Sequence, residues 1–352
     1  MQFAIAIPTD ADSWRVVRRA EELGFSRAWF YDTQMLSADP FVAMGAAAVK
    51  TTRIRLGTGV LIPSNRIAPV TANAFASLNK LAPGRIDFGV GTGFTGRRAM
   101  GLGAIKLADL EDYVRVVMAL LRGETVETEI ERKKRLIRLL NPELGLINTH
   151  DPIPLYVAAS GPRARSLTAK LGAGWIATAG DVAAMADMQE RWRASGRAAQ
   201  PLHAVVMTGG AILEDGEPLD SPRVIAQAGP RAAMLLHRAA DAALAGLPMI
   251  AAIPSSVAET VAGYVNVARK FTPQGAHYLE NHRGHLMFVK PEERRFVTAE
   301  LIRVTTFTAT EKELKQRIAA LSETGYGEIA FQIVPGQEHA IEDWGRIRRA
   351  FA

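Results

Sequence analysis

An α/β fold of the TIM type, a (β/α)8 barrel with insertions, is what this sequence predicts, on three observations. Short apolar runs of strand length alternate with amphipathic stretches of helix length over most of the chain. Eight such strands can be counted, and strands alternating with helices pair in parallel and close into a barrel. No low-complexity linker or break in composition divides the chain, so one domain over 1–352 is expected. The 352 residues exceed the roughly 250 of a plain barrel. Two insertions, near 125–151 and 219–303, are expected to hold the excess.

FAIAI is the first strand, and Asp12 or Ser13 can cap a helix through Trp14, Val17, Ala20 and Leu23 that stops at Gly24. SRAWFY is the second, with a helix from Pro40 to about Val49. IRLGTGV is the third and leads to a helix over about 68–81; IDFGV is the fourth, its helix at about 107–121. PLYVAA precedes a helix that Pro162 opens and that ends near Leu171, because proline suits the first helical turn. GWIATA is the sixth strand, with a helix over 182–193, and HAVVMTGGAIL is the seventh. A long helical stretch at about 231–270 and a mixed region follow. GEIAFQIV is the eighth strand, and a helix ending near Phe351 closes the chain.

Composition narrows the function classes. Cysteine is absent, which removes disulfides, thiolate metal sites and a thiol nucleophile. The start MQFAIAIPTD lacks the basic opening of a secretory signal. The apolar stretch 242–253 is too short to span a bilayer and is interrupted by Gly246 and Pro248. A soluble cytoplasmic protein is expected. The net charge is +6, but the basic residues are scattered and aromatics amount to 7%, without the interleaving of a single-strand binder. Neither nucleic acid nor membrane is expected as a partner. The densest basic run, Arg132 to Arg138, reads as a solvated face or as a site for a polyanionic small molecule.

Ligands of such barrels lie at the carboxyl ends of the strands, so the residues just after each strand are the candidates. The third strand runs into Gly57, Thr58, Gly59 and Val60. Glycine inside a strand marks a bulge or a close approach of backbone to a ligand. Gly91-Thr92-Gly93-Phe94-Thr95-Gly96 matches G-x-G-x-x-G, but three strand–helix units precede it and its helix is expected only later, so a flexible loop at the mouth fits better than a dinucleotide fingerprint. Ser160-Gly161-Pro162-Arg163 opens a helix, whose free N–H groups suit a phosphate; Arg163 and Arg165 add charge, and an ordinary capped helix remains the alternative. Asp32 is a polar group at the mouth or a loop cap. His277, His282 and His285 have neither the spacing nor the partner set of a metal site. They read as pocket lining or as structural histidines, and no metal is expected. No serine elbow, Walker loop or kinase set is present.

Three segments carry a resemblance to a known family: IRLGTGVLIPSNRIAPVTANAFASLNKLAPGRIDFGVGTG, PIPLYVAASGPRARSLTAKLGAGWI and TGYGEIAFQIVPG. The chain resembles the bacterial-luciferase-like flavin and deazaflavin oxidoreductases, within them the branch of methylenetetrahydromethanopterin reductase, and does so least well over 214–300. The resemblance implies a (β/α)8 barrel, often dimeric, with a non-prolyl cis peptide at Gly59-Val60 backing a flavin-like ring. It places Asp32 near the ring, and a phosphate-bearing tail at Ser160, Gly161 and Pro162. Thr58, Gly91, Thr92 and Arg163 complete the expected cofactor set. Two family positions differ. Thr33 stands where a histidine often follows the aspartate, and Phe94 where some members have glutamate. His282 and His285 are therefore the expected substitutes for the acid–base pair, since imidazole titrates near neutrality. The expected activity is hydride transfer between coenzyme F420 and a small organic substrate. The alternatives are an FMN-dependent monooxygenase and a cofactor-binding protein without catalysis.

Overall fold

The computed structural model describes residues 1–249 and 252–351; Ile250 and Ala251, inside the apolar stretch 242–253, lie outside them. The chain runs β1 (Gln2–Ile7), α1 (Trp14–Glu22), β2 (Arg27–Phe30), α2 (Pro40–Ala48), β3 (Arg55–Thr58), α3 (Ala68–Leu81), β4 (Ile86–Val90), α4 (Phe94–Arg98) and α5 (Leu107–Leu121). A hairpin of β5 (Val126–Ile130) and β6 (Lys133–Ile137) follows, then β7 (Leu155–Ala158), α6 (Pro162–Leu171), β8 (Gly174–Ala177), α7 (Val182–Trp192), β9 (Ala204–Thr208) and β10 (Ile212–Leu213). The second half holds α8 (Pro222–Ala245), α9 (Ala258–Ala268), α10 (Tyr278–Asn281), α11 (Ala299–Thr305), β11 (Ala309–Thr310), α12 (Glu311–Thr324), β12 (Glu328–Gln332) and α13 (Ala340–Arg349). Eight strands close in the order β1-β12-β9-β8-β7-β4-β3-β2, every pair parallel. Such strands are covered on both faces, which is why they read as near-continuous apolar runs.

Side chains fill the barrel from floor to mouth. At the floor, Arg27 bonds Asp87 at 2.8 Å and pairs with Glu328, while Arg55 bonds Asp87 at 2.7 Å. Trp29 Nε1 donates to Glu328 at 2.9 Å. Two cations and two carboxylates thus balance in a site where an unmatched charge would be costly. The Trp29 indole occupies the next layer. A Cβ at Gly57 would come within 2.7 Å of that ring, and one at Gly89 would strike the Thr58 carbonyl. These two glycines therefore make room for Trp29 and for close backbone contact between β3 and β4. Outside the barrel, the helices pack on the sheet through residues such as Phe75, Phe88 and Phe331, the last stacked on Trp344 at 3.7 Å.

The eight predicted strands are those of the barrel. Four readings need correction. The segment 125–151 contains the β5–β6 hairpin, whose turn residues Glu131 and Arg132 both have positive φ, the geometry of a tight two-residue reversal. The run 132–138 lies on its outer strand, exposed apart from the half-buried Ile137. The seventh strand ends at Thr208, and Ile212–Leu213 pairs instead with Ala309–Thr310, closing the neck of the larger insertion. The helix expected at 231–270 starts earlier, at Pro222 behind the Ser221 cap, and ends at Gly246 in the left-handed region; Pro248 and Pro254 keep it from continuing into α9. Finally, α4 starts at Phe94 directly behind Gly93, so the segment after the fourth strand is not a loop throughout.

The larger insertion has its own apolar cluster, with Val224, Leu236, Val261, Tyr264, Phe296 and Leu301. Among the described residues, no helix is long and apolar enough to cross a membrane.

Replacing Arg27 with alanine leaves Asp87 and Glu328 buried with only Arg55 to balance them. Denaturant unfolding is expected to show a loss of ~3–5 kcal/mol. Arg55→Ala, at a half-buried position, is expected to cost clearly less. Equal and small losses would contradict the role given to this floor.

Candidate active site

The carboxyl ends of β3 and β4 shape the mouth. Gly57 pairs with Asp87, and Leu61 next bridges Val90. Four steps on β3 thus match three on β4, so one extra residue is inserted between them: a β-bulge. The peptide Gly59-Val60 within it is cis. Gly59 donates to the Phe30 carbonyl at 2.7 Å, and a Cβ there would lie 2.7 Å from Trp29 Cβ. Trp29 therefore backs the bulge from below, and Gly59 and Val60 stay partly open at the mouth. Thr58 does not face a ligand. It is fully buried, and its hydroxyl is used between the strands, on Gly89 O and Gly89 N. Gly91 packs beneath the Val60 side chain, and Thr92 is half-buried beside it.

Asp32 holds the far side of this segment. Its Oδ2 accepts from Ile62 N at 2.9 Å and Asn65 Nδ2 at 3.1 Å, and Arg66 approaches at 3.3 Å. With 2% of its surface exposed, the carboxylate is saturated by the turn that follows the bulge. It is placed to position Val60, a role the sequence did not show.

At β7 and α6 the expected phosphate cradle is open. Ser160 and Arg163 are exposed, Gly161 is the helix N-cap without a side-chain cap bond, and nothing lies within 4 Å of a Cβ built on Gly161. Arg165 is not available there: it binds Asp187 at 2.5 Å and the Ser160 carbonyl at 2.7 Å.

Helix α8 lies across the mouth. Met234 packs in the cluster that fills the upper barrel with Tyr31, Met207, Ala158 and Leu286. Arg231, three residues before it, donates to the carbonyls of Thr178 and Met207 at the ends of β8 and β9. Arg238, one turn after it, lies over the Phe94 ring at 4.8 Å. Burial pushes the Tyr31 phenol up, against the pull of Arg231.

Behind α8 the histidines form a closed network. His237 Nε2 meets Glu293 Oε1 at 2.5 Å, His282 Nε2 meets Asp241 at 3.0 Å, and His237 Nδ1 meets His285 Nδ1 at 2.6 Å. His285 also reaches the Thr95 hydroxyl at 3.4 Å. Facing carboxylates fix Nε2 of His237 and His282 as donors, which turns their Nδ1 lone pairs inward. The three rings stand close enough to share a metal ion. Lys290 and Arg98 also border the cluster, each paired with a carboxylate, Glu293 and Asp241, that touches one of the rings. His282 and His285 are each 2% exposed, so the expected acid–base pair lies behind the mouth and not in it. His277 joins none of the ring-to-ring bonds, and its Nε2 is buried without a partner among the described residues.

Tyr31, Arg231, Met234, Arg238, His237, Asp241 and Glu293 were missed from the sequence. A signal existed in α8: Arg231, Met234 and Arg238 fall three and four residues apart, so cations share a stripe with a core methionine. Starting that helix at Arg231 hid its first turns and its facing.

Comparisons with known proteins agree with this geometry. Residues 8–328 match the family described as luciferase-like monooxygenases. A relative, the F420-dependent glucose-6-phosphate dehydrogenase of Beutenbergia cavernae, is 39% identical over 145 residues, which is 39% of this chain and 41% of that protein. The chain thus spans no more than about half the length of the curated relatives it matches first. Among solved structures, the coenzyme F420-dependent tetrahydromethanopterin reductase of Methanopyrus kandleri superposes with a TM-score of 0.68 at 19% identity, covering 98% of this chain and 97% of that one. The monooxygenase RslO1 of Streptomyces bottropensis superposes with 0.64 at 17% identity over 100% of both. At these identities both show the fold.

The network makes stability depend on pH. Burial lowers the His285 imidazole well below its ordinary 6.5, with neighbouring cations adding to the effect, and burial lowers His237 too, against Glu293. The folded state then refuses protons that the unfolded chain accepts below about pH 6.5. Stability is full above that value and falls with acidification, by up to ~1.4 kcal/mol per pH unit for each ring. Unfolding midpoints at pH 7.5 and 5.5 are expected to show this fall, and His285→Gln to reduce it. A midpoint indifferent to pH across that window would contradict neutral buried rings.

Proposed function

The chain belongs to the luciferase-like monooxygenase family, and on that premise we propose that it is an F420-dependent oxidoreductase moving a hydride between the coenzyme and a small organic substrate. The bulge of β3 at the mouth, with Trp29 behind it, is the observation that carries this reading. Val60 and Gly59 would back a planar ring, with Gly91 and Thr92 beside it. Ser160, Gly161, Pro162 and Arg163 would hold the phosphate through the open N-terminus of α6. A bound deazaflavin supplies hydride exchange at C5. The protein's share is to orient the ring and to keep water from it. Asp32 fixes the turn that presents Val60, while His282 and His285 act through the network behind α8, where Thr95 is the link to the mouth.

The FMN-dependent monooxygenase stays as the second reading, since the family description and the fold of RslO1 both fit it. Oxygen discriminates them: only the monooxygenase requires it for turnover. A homodimer and a cytoplasmic setting belong to the proposal as well. Val42 on α2 and Val70 on α3 are 62% and 51% exposed on helices that pack together, an apolar face that suits a second copy.

A fluorescence titration with F420 is expected to saturate. Gly161 has φ −100 and free space, so Gly161→Phe should fold normally yet bind F420 at least about tenfold more weakly, as loss of charge-assisted bonds requires. Absence of F420 binding by the unaltered protein would end the proposal, and undiminished binding by the variant would remove the phosphate site.

A further inference from the structure

The charges around the mouth do not balance. On the far side of α8, Asp241 is matched by Arg98 at 3.0 Å and Glu293 by Lys290 at 2.6 Å. The neighbouring imidazoles His237 and His285 are held neutral by burial. Arg231 and Arg238 are left over. Arg231 spends its bonds on two neutral carbonyls. Arg238 forms no ion pair among the described residues, and its buried Nε has no hydrogen-bond partner. The charged neighbours that act on Arg238 are Arg231 and Arg98, both cations. Phe94 offers it only a ring face. Burial, and then these two cations, push the Arg238 guanidinium down to about 10. A half-buried cation with no carboxylate beside it costs stability, and an anion at its open side would offset that cost.

We propose that Arg238, with Arg231 beside it, forms an oxyanion subsite for the substrate, so that the molecule exchanging hydride carries a phosphate monoester or carboxylate group. The guanidinium fork suits either oxyanion, since both accept two parallel N–H bonds. Both arginines are partly open to solvent, seven residues apart on α8: Arg231 reaches the ends of β8 and β9, and Arg238 lies over Phe94 after β4. The location sets this subsite apart from Ser160–Arg163, on the rim at β7, where the coenzyme's phosphate is placed. The inference rests on reading the mouth as the redox site. Its test does not depend on turnover.

The cofactor-free protein, carrying Gly161→Phe to close the phosphate cradle at α6, is titrated with inorganic phosphate and, separately, with acetate at constant ionic strength, and binding is read by calorimetry and by the unfolding midpoint. Phosphate is expected to bind and to raise the midpoint. Arg238→Met added to it should weaken phosphate at least about tenfold and, in phosphate-free buffer, unfold at the same midpoint as the Gly161→Phe parent or a higher one, because an unpaired charge has been removed. Arg193→Gln, an exposed change on the outer surface, should leave the response intact. Without Gly161→Phe, Arg238→Met should also retain F420 affinity. The proposal is overturned if phosphate and acetate both fail to bind, if Arg238→Met binds them undiminished, or if Arg238→Met is destabilised without anion, which would make the arginine a packing element. It is overturned equally if the variant loses F420, since the anion would then be the coenzyme's own. Should F420 fail to bind the unaltered protein while phosphate binding is lost with Arg238, the subsite stands and the redox reading alone falls.

Discussion

Two buried carboxylates on the insertion, Asp241 and Glu293, decide what the mouth of this barrel looks like. Asp241 sits near the end of α8 and receives Arg98 from α4, Asn281 from α10 and the His282 ring. Glu293 receives His237 from α8, Lys290 and the Tyr264 hydroxyl of α9. Both fasten α8, and the first ties it to the segment that follows β4. That tie sets the rotation of the helix about its axis. Met234 then points into the barrel, and the arginines flanking it point with it. Breaking one such buried pair costs ~3–5 kcal/mol, so the helix has little freedom to turn away.

The same economy operates in the barrel itself. Trp29 takes up the volume that side chains at Gly57 and Gly89 would need, and it supports the bulge at Gly59 from beneath. The glycines of the third strand were expected to make room for a ligand. Gly57 instead makes room for a tryptophan, as Gly89 of β4 does, and that ring in turn holds the backbone of the mouth in place. Proximity of the glycine-rich segment to the mouth was thus correctly inferred, while the reason for each glycine was found only in three dimensions.

How far the sequence is legible follows from what each feature depends on. Barrel strands could be read because burial on both faces leaves a continuous apolar run, and helices such as α6 because Pro162 and Gly172 mark their ends. The bulge was legible through its glycines. The roles of Asp32, His282 and His285 were not, because each depends on partners 30 to 48 residues away: Ile62 for Asp32, Asp241 for His282, His237 for His285. Arg238 was invisible for a related reason. Its significance is the lack of a partner, and nothing in a sequence shows which charges remain unmatched after folding.

The central claim is that a planar redox ring rests on the bulge of β3 with its phosphate at the start of α6. Amide hydrogen exchange with and without F420 tests it most directly. The account predicts protection on binding in residues 59–62, 91–95 and 160–164 together, with the β5–β6 hairpin unchanged. Binding that leaves those three segments unprotected, or protects only elements away from the mouth, would contradict it.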